Sequence, residues 1–147
     1  LAGLLLAAGR RVEAGEVLET GIERQPEVPA YRKLYARLKV EAGDVAGAVA
    51  NLEATAAAAA QDADYQALLA ALYQRQGAFD KSEQHYQQAL SLQPRQGVWW
   101  LGLGISAEGA GHREEAARAY SRALEAGIGD KLGAYARERL KALEPAK

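Results

Sequence analysis

The sequence predicts an all-α solenoid, with about three and a half helix–turn–helix repeats followed by a closing helix. Three observations carry this. Gly9, Gly43, Gly77 and Gly111 stand 34 residues apart, and a fixed period of that length marks a repeat architecture. At constant offsets from those glycines come a small residue (Ala14, Ala48, Ser82, Ala116), a large one (Leu18, Leu52, Tyr86, Tyr120) and a small or modest one (Gly21, Thr55, Ala89, Ala123). Small positions let two helices approach and large ones fill the space between them. Lastly, Pro26 and Pro94 follow the second helix of their repeats, where proline stops a helix.

Taken in order, Leu1–Ala8 reads as the remnant of a first helix that turns at Gly9. Arg11–Arg24 is its partner, with Val12, Val17, Leu18 and Ile22 as the apolar set. Gln25–Val28 connects to a helix opened by Pro29, whose missing N–H costs little in a first turn. That helix reaches about Ala42, with Tyr31, Tyr35 and Leu38 along one stripe. Val45–Ala60 is the next helix and ends in an alanine-rich run. The run falls in phase with the repeat, so it reads as close-packed helix rather than linker.

Asp62 or Asp64 caps the following helix. The third repeat spans Tyr65–Leu92 and the fourth Val98–Ala126. A last helix, Asp130–Leu143, opens on a cap-type Asp and offers Leu132, Tyr135, Leu140 and Leu143 to cover the stack. The repeats are bounded at about 1–28 (partial), 29–62, 63–96 and 97–130, in one domain.

Composition narrows the function. Eighteen basic and nineteen acidic residues leave a net charge of -1, which argues against a general nucleic-acid binder. Without cysteine, neither a disulfide framework nor a thiolate metal site is available. No run of 18 apolar residues exists to span a bilayer. His85 and His112 stand 27 residues apart on different elements, outside any HExxH spacing. No GxSxG, Walker-type loop or dinucleotide fingerprint is present. We therefore expect no enzyme, no metal and no cofactor.

Gly102 and Gly109 lie outside the repeat pattern and have two readings: they thin the helix, or they admit a ligand to its backbone. Trp99 and Trp100 point about 100° apart, and their register places both in the core.

The fourth copy carries Trp100, Leu103, Gly104, Gly111, Ala116, Tyr120 and Ala123, and the third Leu69, Ala70, Tyr73, Gly77, Tyr86, Ala89 and Pro94. With the 34-residue period, this resembles the tetratricopeptide repeat. The second copy departs, with Arg32 and Lys39 at places where aromatics are usual. The resemblance implies a right-handed superhelix whose first helices line a concave groove that binds a peptide or partner protein. Positions two, five, nine and twelve of each repeat would face it. They are Ala30, Lys33, Arg37 and Val40; then Asp64, Ala67, Ala71 and Gln74; then Val98, Leu101, Ile105 and Glu108. The groove would be basic at Lys33 and Arg37, flat at Ala67 and Ala71, and apolar at Val98, Leu101 and Ile105. Some members grip a C-terminal carboxylate with paired Lys and Asn. Lys33 takes the Lys place, but Arg37 stands where Asn is needed, which argues against that clamp.

The strings YQALLAALYQRQG and VWWLGLGIS also look like the C-terminal repeat region of the bacterial MSHA (type IV) pilus biogenesis N proteins. That likeness implies a periplasmic scaffold for other pilus components, held to the inner membrane by an N-terminal anchor. The sequence opens without methionine and inside a repeat, so it reads as a fragment of a longer protein. The alternative is a cytoplasmic adaptor or co-chaperone of the same fold. A cut first helix would leave Leu4, Leu5 and Leu6 underpacked and open to homodimer formation.

Overall fold

The computed structural model describes residues 2–145, with side chains from residue 9 onward. Every element among the described residues is a helix: α1 (Ala2–Arg24), α2 (Pro29–Glu41), α3 (Val45–Glu53), α4 (Ala63–Arg75), α5 (Phe79–Leu92), α6 (Gly97–Gly109), α7 (Arg113–Ala126) and α8 (Gly129–Leu143). They form two compact units, Leu1–Ala60 and Gln61–Lys147. No helix among the described residues is long and apolar enough to cross a membrane.

Three of the four register glycines make the same turn. Gly43, Gly77 and Gly111 have φ of +83°, +75° and +84°. In each turn the glycine N–H reaches back three residues and the next N–H reaches back five. Asp44 N to Lys39 O is 2.8 Å, Ala78 N to Tyr73 O is 2.9 Å and His112 N to Ala107 O is 2.8 Å. This double closure satisfies the last carbonyls of the helix, and a left-handed residue is required to form it.

Gly9 does not turn. α1 runs through it as one 23-residue helix, which corrects the expected helix pair. A turn forfeits intrahelical hydrogen bonds, and packing between the two arms must offset them. The arm ahead of Gly9, Ala2–Ala8, is only about two helical turns long. The side chains of Leu4, Leu5 and Leu6, and with them the proposed dimer contact, lie outside the described residues.

In unit 1, α2 packs on α1 and on α3. Ala36, Ala48 and Leu52 are fully buried, and Val49 nearly so. Asp44 caps α3 by accepting from Gly47 N at 2.8 Å. The helix expected to continue to Ala60 stops at Glu53, and residues 54–61 follow as turns. Short-range bonds such as Thr55 N to Leu52 O at 3.4 Å and Ala56 N to Glu53 O at 3.3 Å replace the regular ladder. Ala59 nevertheless remains buried, so the run packs while losing helical geometry.

In unit 2, α4 to α8 stack in chain order. Ala70, Ser82, Ala89, Ala116, Tyr120 and Ala123 are buried at their expected small and large positions, as is Tyr86. Burial pushes the Tyr86 phenol up to about 12. Asp62, of the two cap candidates, accepts from Tyr65 N at 3.0 Å. Asp130 does not cap α8; it sits inside the first turn, after Ile128 and Gly129. Ala136, Leu140 and Leu143 of α8 close on the α6–α7 core. Leu132 and Tyr135, also expected to cover it, are 40% and 41% exposed.

Candidate interaction surfaces

Gly102 and Gly109 thin α6, the first of their two readings, and side chains of this chain fill the space. A Cβ at Gly102 would fall on the Tyr86 ring, and one at Gly109 would lie 2.6 Å from the Phe79 ring. Both glycines let the aromatics of α5 seat directly on α6.

The predicted groove residues divide between the units. Lys33 and Arg37 belong to unit 1. Lys33 is half-buried, while Arg37 is exposed and lines a cleft between α1 and α2 floored by Leu34, Leu38 and Val17. The rest belong to unit 2. Ala67 and Leu101 are buried; Leu101 joins Tyr120 and Ala136 in the core, so little of its surface is left for a partner. Ala71 and Gln74 are half-buried, and Gln74 accepts a 3.4 Å bond from the Ser106 hydroxyl. Val98 is 59% exposed.

Ile105 and Glu108 line a pocket of about 370 Å³ together with Tyr120, Tyr135 and Arg139. Glu108 is engaged there by Arg139, whose Nε donates at 3.0 Å and whose Nη2 pairs with the second carboxylate oxygen. The Tyr120 hydroxyl donates to Glu108 at 2.8 Å. Arg139, and secondarily Tyr120, hold the Glu108 carboxyl below its ordinary range. Burial, and then the hydrogen bond to Glu108, pushes the Tyr120 phenol up. Glu108 therefore ties α6 to α7 and α8.

Residues of α8 belong to this face and were missed in the sequence. Leu132, Tyr135 and Arg139 stand 34 residues after Val98, Leu101 and Ile105. One further extension of the period would have found them. Val98 and Leu132, at the same repeat position, are both exposed.

The second missed surface follows from pairs 19 residues apart. In the second repeat Arg32 Nη1 donates to the Asn51 side chain at 3.2 Å. In the third repeat Gln66 Oε1 meets His85 Nδ1 at 2.7 Å. In the fourth repeat the corresponding pair is Trp100 and Ala119. The small alanine leaves a cavity of about 540 Å³ lined by both, with Leu90, Leu103, Arg118 and Arg122. Trp100, which lines this cavity, and Trp99 are half-buried and pack against the edge of the core rather than inside it. The Trp100 indole donates to Pro94 O at 2.7 Å, and the Arg122 guanidinium lies 5.7 Å from its ring centre. Arg32 Nε makes the equivalent bond to Pro26 O at 3.2 Å, so the departure from an aromatic at that place preserves the contact.

These features define a class: stacked helix pairs with glycine turns and two side-chain-lined faces. Two tetratricopeptide-repeat family models match the chain, over residues 5–72 and 67–97. Together they cover more than half of its 147 residues, and the chain belongs to the tetratricopeptide-repeat family. It is 32% identical over 111 residues to human tetratricopeptide repeat protein 34, covering 75% of this chain and 20% of that protein. The chain thus spans about a fifth of this curated relative's length. Among solved structures it is similar to the MamA protein, with a TM-score of 0.70, 22% identity, and coverage of 82% of this chain and 66% of that one. It is also similar to the Arabidopsis OM64 TPR domain, with a TM-score of 0.68, 20% identity, and coverage of 78% and 93%. The fold is the tetratricopeptide α-solenoid, and membership of this repeat family supports a protein-interaction scaffold.

Proposed function

We propose that the chain holds a peptide or partner protein on the face formed by the first helices of unit 2. The observation that carries this reading is the repeated exposure of Val98 and Leu132, at 59% and 40%, one period apart. Large apolar side chains left in water at matched positions offer anchors to an apolar partner. Ala71, Gln74 and Ile105 supply neighbouring surface of small or mixed character. On unit 1, taken by itself, Lys33 and Arg37 present basic charge suited to an acidic segment.

We further propose that the partner is a component of MSHA-type pilus assembly. The chain would act on the periplasmic side of the inner membrane and be anchored there in the full-length protein. The support for this is the likeness carried by YQALLAALYQRQG and VWWLGLGIS.

The test is a pull-down from a bacterial envelope extract with mass-spectrometric identification. It compares the parent with a Val98→Glu, Leu132→Glu variant whose helicity is checked by circular dichroism. Both positions are exposed, so the variant is expected to fold. Retention of a pilus component by the parent alone supports both levels of the reading. Equal retention by parent and variant rejects this face. Face-dependent retention of an unrelated protein rejects the pilus assignment and leaves the scaffold.

A further inference from the structure

The fold brings together three potential metal ligands that are far apart in sequence. Asp80 and Glu83 lie on α5, three residues apart, and His112 stands in the α6–α7 turn. One ligand atom from each lies within 4.8 Å of the other two. His112 Nδ1 is 2.9 Å and 3.1 Å from the two Glu83 oxygens. Glu83 is only 8% exposed, whereas Asp80 and His112 are exposed and free to adjust.

The repeat itself does not require these residues. One period earlier the same three places hold Ala46, Val49 and Ala78. Val49 is buried there as an ordinary core residue. Exchanging a buried valine for a buried carboxylate costs desolvation that the scaffold has no need to bear. A second carboxylate beside it adds like-charge repulsion. Among the described residues, no lysine or arginine pairs with either carboxylate, and His112 is the only recorded partner of Glu83. A divalent cation would offset both charges and take imidazole as its third ligand.

We propose that Asp80, Glu83 and His112 form a binding site for a borderline divalent cation of the zinc class. Two carboxylates and one imidazole suit such an ion, with water completing the shell. The ion joins α5 of the third repeat to the α6–α7 turn inside the fourth, so binding stabilises the folded state by mass action.

The composition makes the test clean. There is no cysteine, and His85 is the only other histidine. Isothermal titration of the full chain with Zn²⁺ at neutral pH is expected to show one saturable equivalent and a raised melting temperature. His112→Ala should abolish both effects, Asp80→Asn should weaken binding at least about tenfold, and His85→Ala should leave it unchanged. In the unmutated chain, Zn²⁺ should shift the ring NMR signals of His112 and not those of His85. Absence of saturable binding overturns the proposal, as does a shift confined to His85. Equal binding of Ca²⁺, which does not favour imidazole, would overturn the ligand set. In any of those cases Glu83 and His112 are simply a hydrogen-bonded pair between adjacent repeats.

Discussion

α1 and the helices that follow it are written in the same repeat but bury it to different depths. Leu18, Leu52, Tyr86 and Tyr120 occupy one repeat position. Tyr120 and Leu52 are fully buried, Tyr86 is nearly so, and Leu18 is half-exposed. Val12 and Val17, expected as apolar contacts of α1, are 63% and 71% exposed. The difference shows that the repeat fixes register, while neighbours fix burial. Each helix pair of a solenoid gains its core only from the pairs beside it. α1 packs chiefly on α2, whereas α6 is enclosed by α5 and α7.

The largest effect expected from this comparison is at its two extremes. Tyr120→Ala should destabilise the fold by about 3–5 kcal/mol, as truncation of a buried aromatic does, and it also removes the hydroxyl bond to Glu108. Leu18→Ala, at the same repeat position, should cost less, about 1–2 kcal/mol, because that side chain is only partly withdrawn from water. Urea unfolding followed by circular dichroism measures both. Equal losses would show that the register position, rather than its surroundings, sets the energy.

The fold was legible because its signals are local and repeated. Glycines at fixed spacing, small and large residues in phase, and Asp62 before a helix all report on a few neighbouring residues. Four copies let each weak signal reinforce the others. Gly9 misled because a glycine permits a turn without compelling one. Asp130 misled because cap chemistry acts only at the boundary residue, and the helix begins one residue earlier. At the candidate site, Val98 could be read as exposed, but Leu101 could not be read as buried. Its burial depends on Tyr120 and Ala136 from two other helices. The Trp100 cavity is a missing side chain at Ala119, visible only once Arg32–Asn51 and Gln66–His85 show what normally fills that place.

A smaller effect separates the units by pH. Glu108 ties unit 2 together, and Arg139 lowers its carboxyl from the ordinary 4.5. A lowered folded-state value stabilises the fold above the unfolded value, and this is lost as pH falls through the folded one. Glu108→Gln should therefore lower the melting temperature at neutral pH, by on the order of a few degrees. The gap to the parent should narrow as pH drops below about 4.5. Amide hydrogen exchange should place the loss in α6–α8 and leave α1 and α2 unchanged. A gap that does not change with pH would assign the effect to packing rather than charge.

The smallest effect tests the correction at Gly9, and its sign matters more than its size. In a continuous helix, glycine is less favourable than alanine by about 0.5–1 kcal/mol. A Cβ added at Gly9 meets nothing within 4 Å, and its φ is not positive. Gly9→Ala should therefore stabilise α1 and slow its amide exchange. At Gly43 space is also open, but φ is +83°. Gly43→Ala must hold a left-handed backbone and should destabilise by about 1–2 kcal/mol. Opposite signs at the two sites support one α1 helix followed by true turns at the later glycines. If both substitutions destabilise, Gly9 turns in solution, and the chain begins with the helix pair that its 34-residue period first suggested.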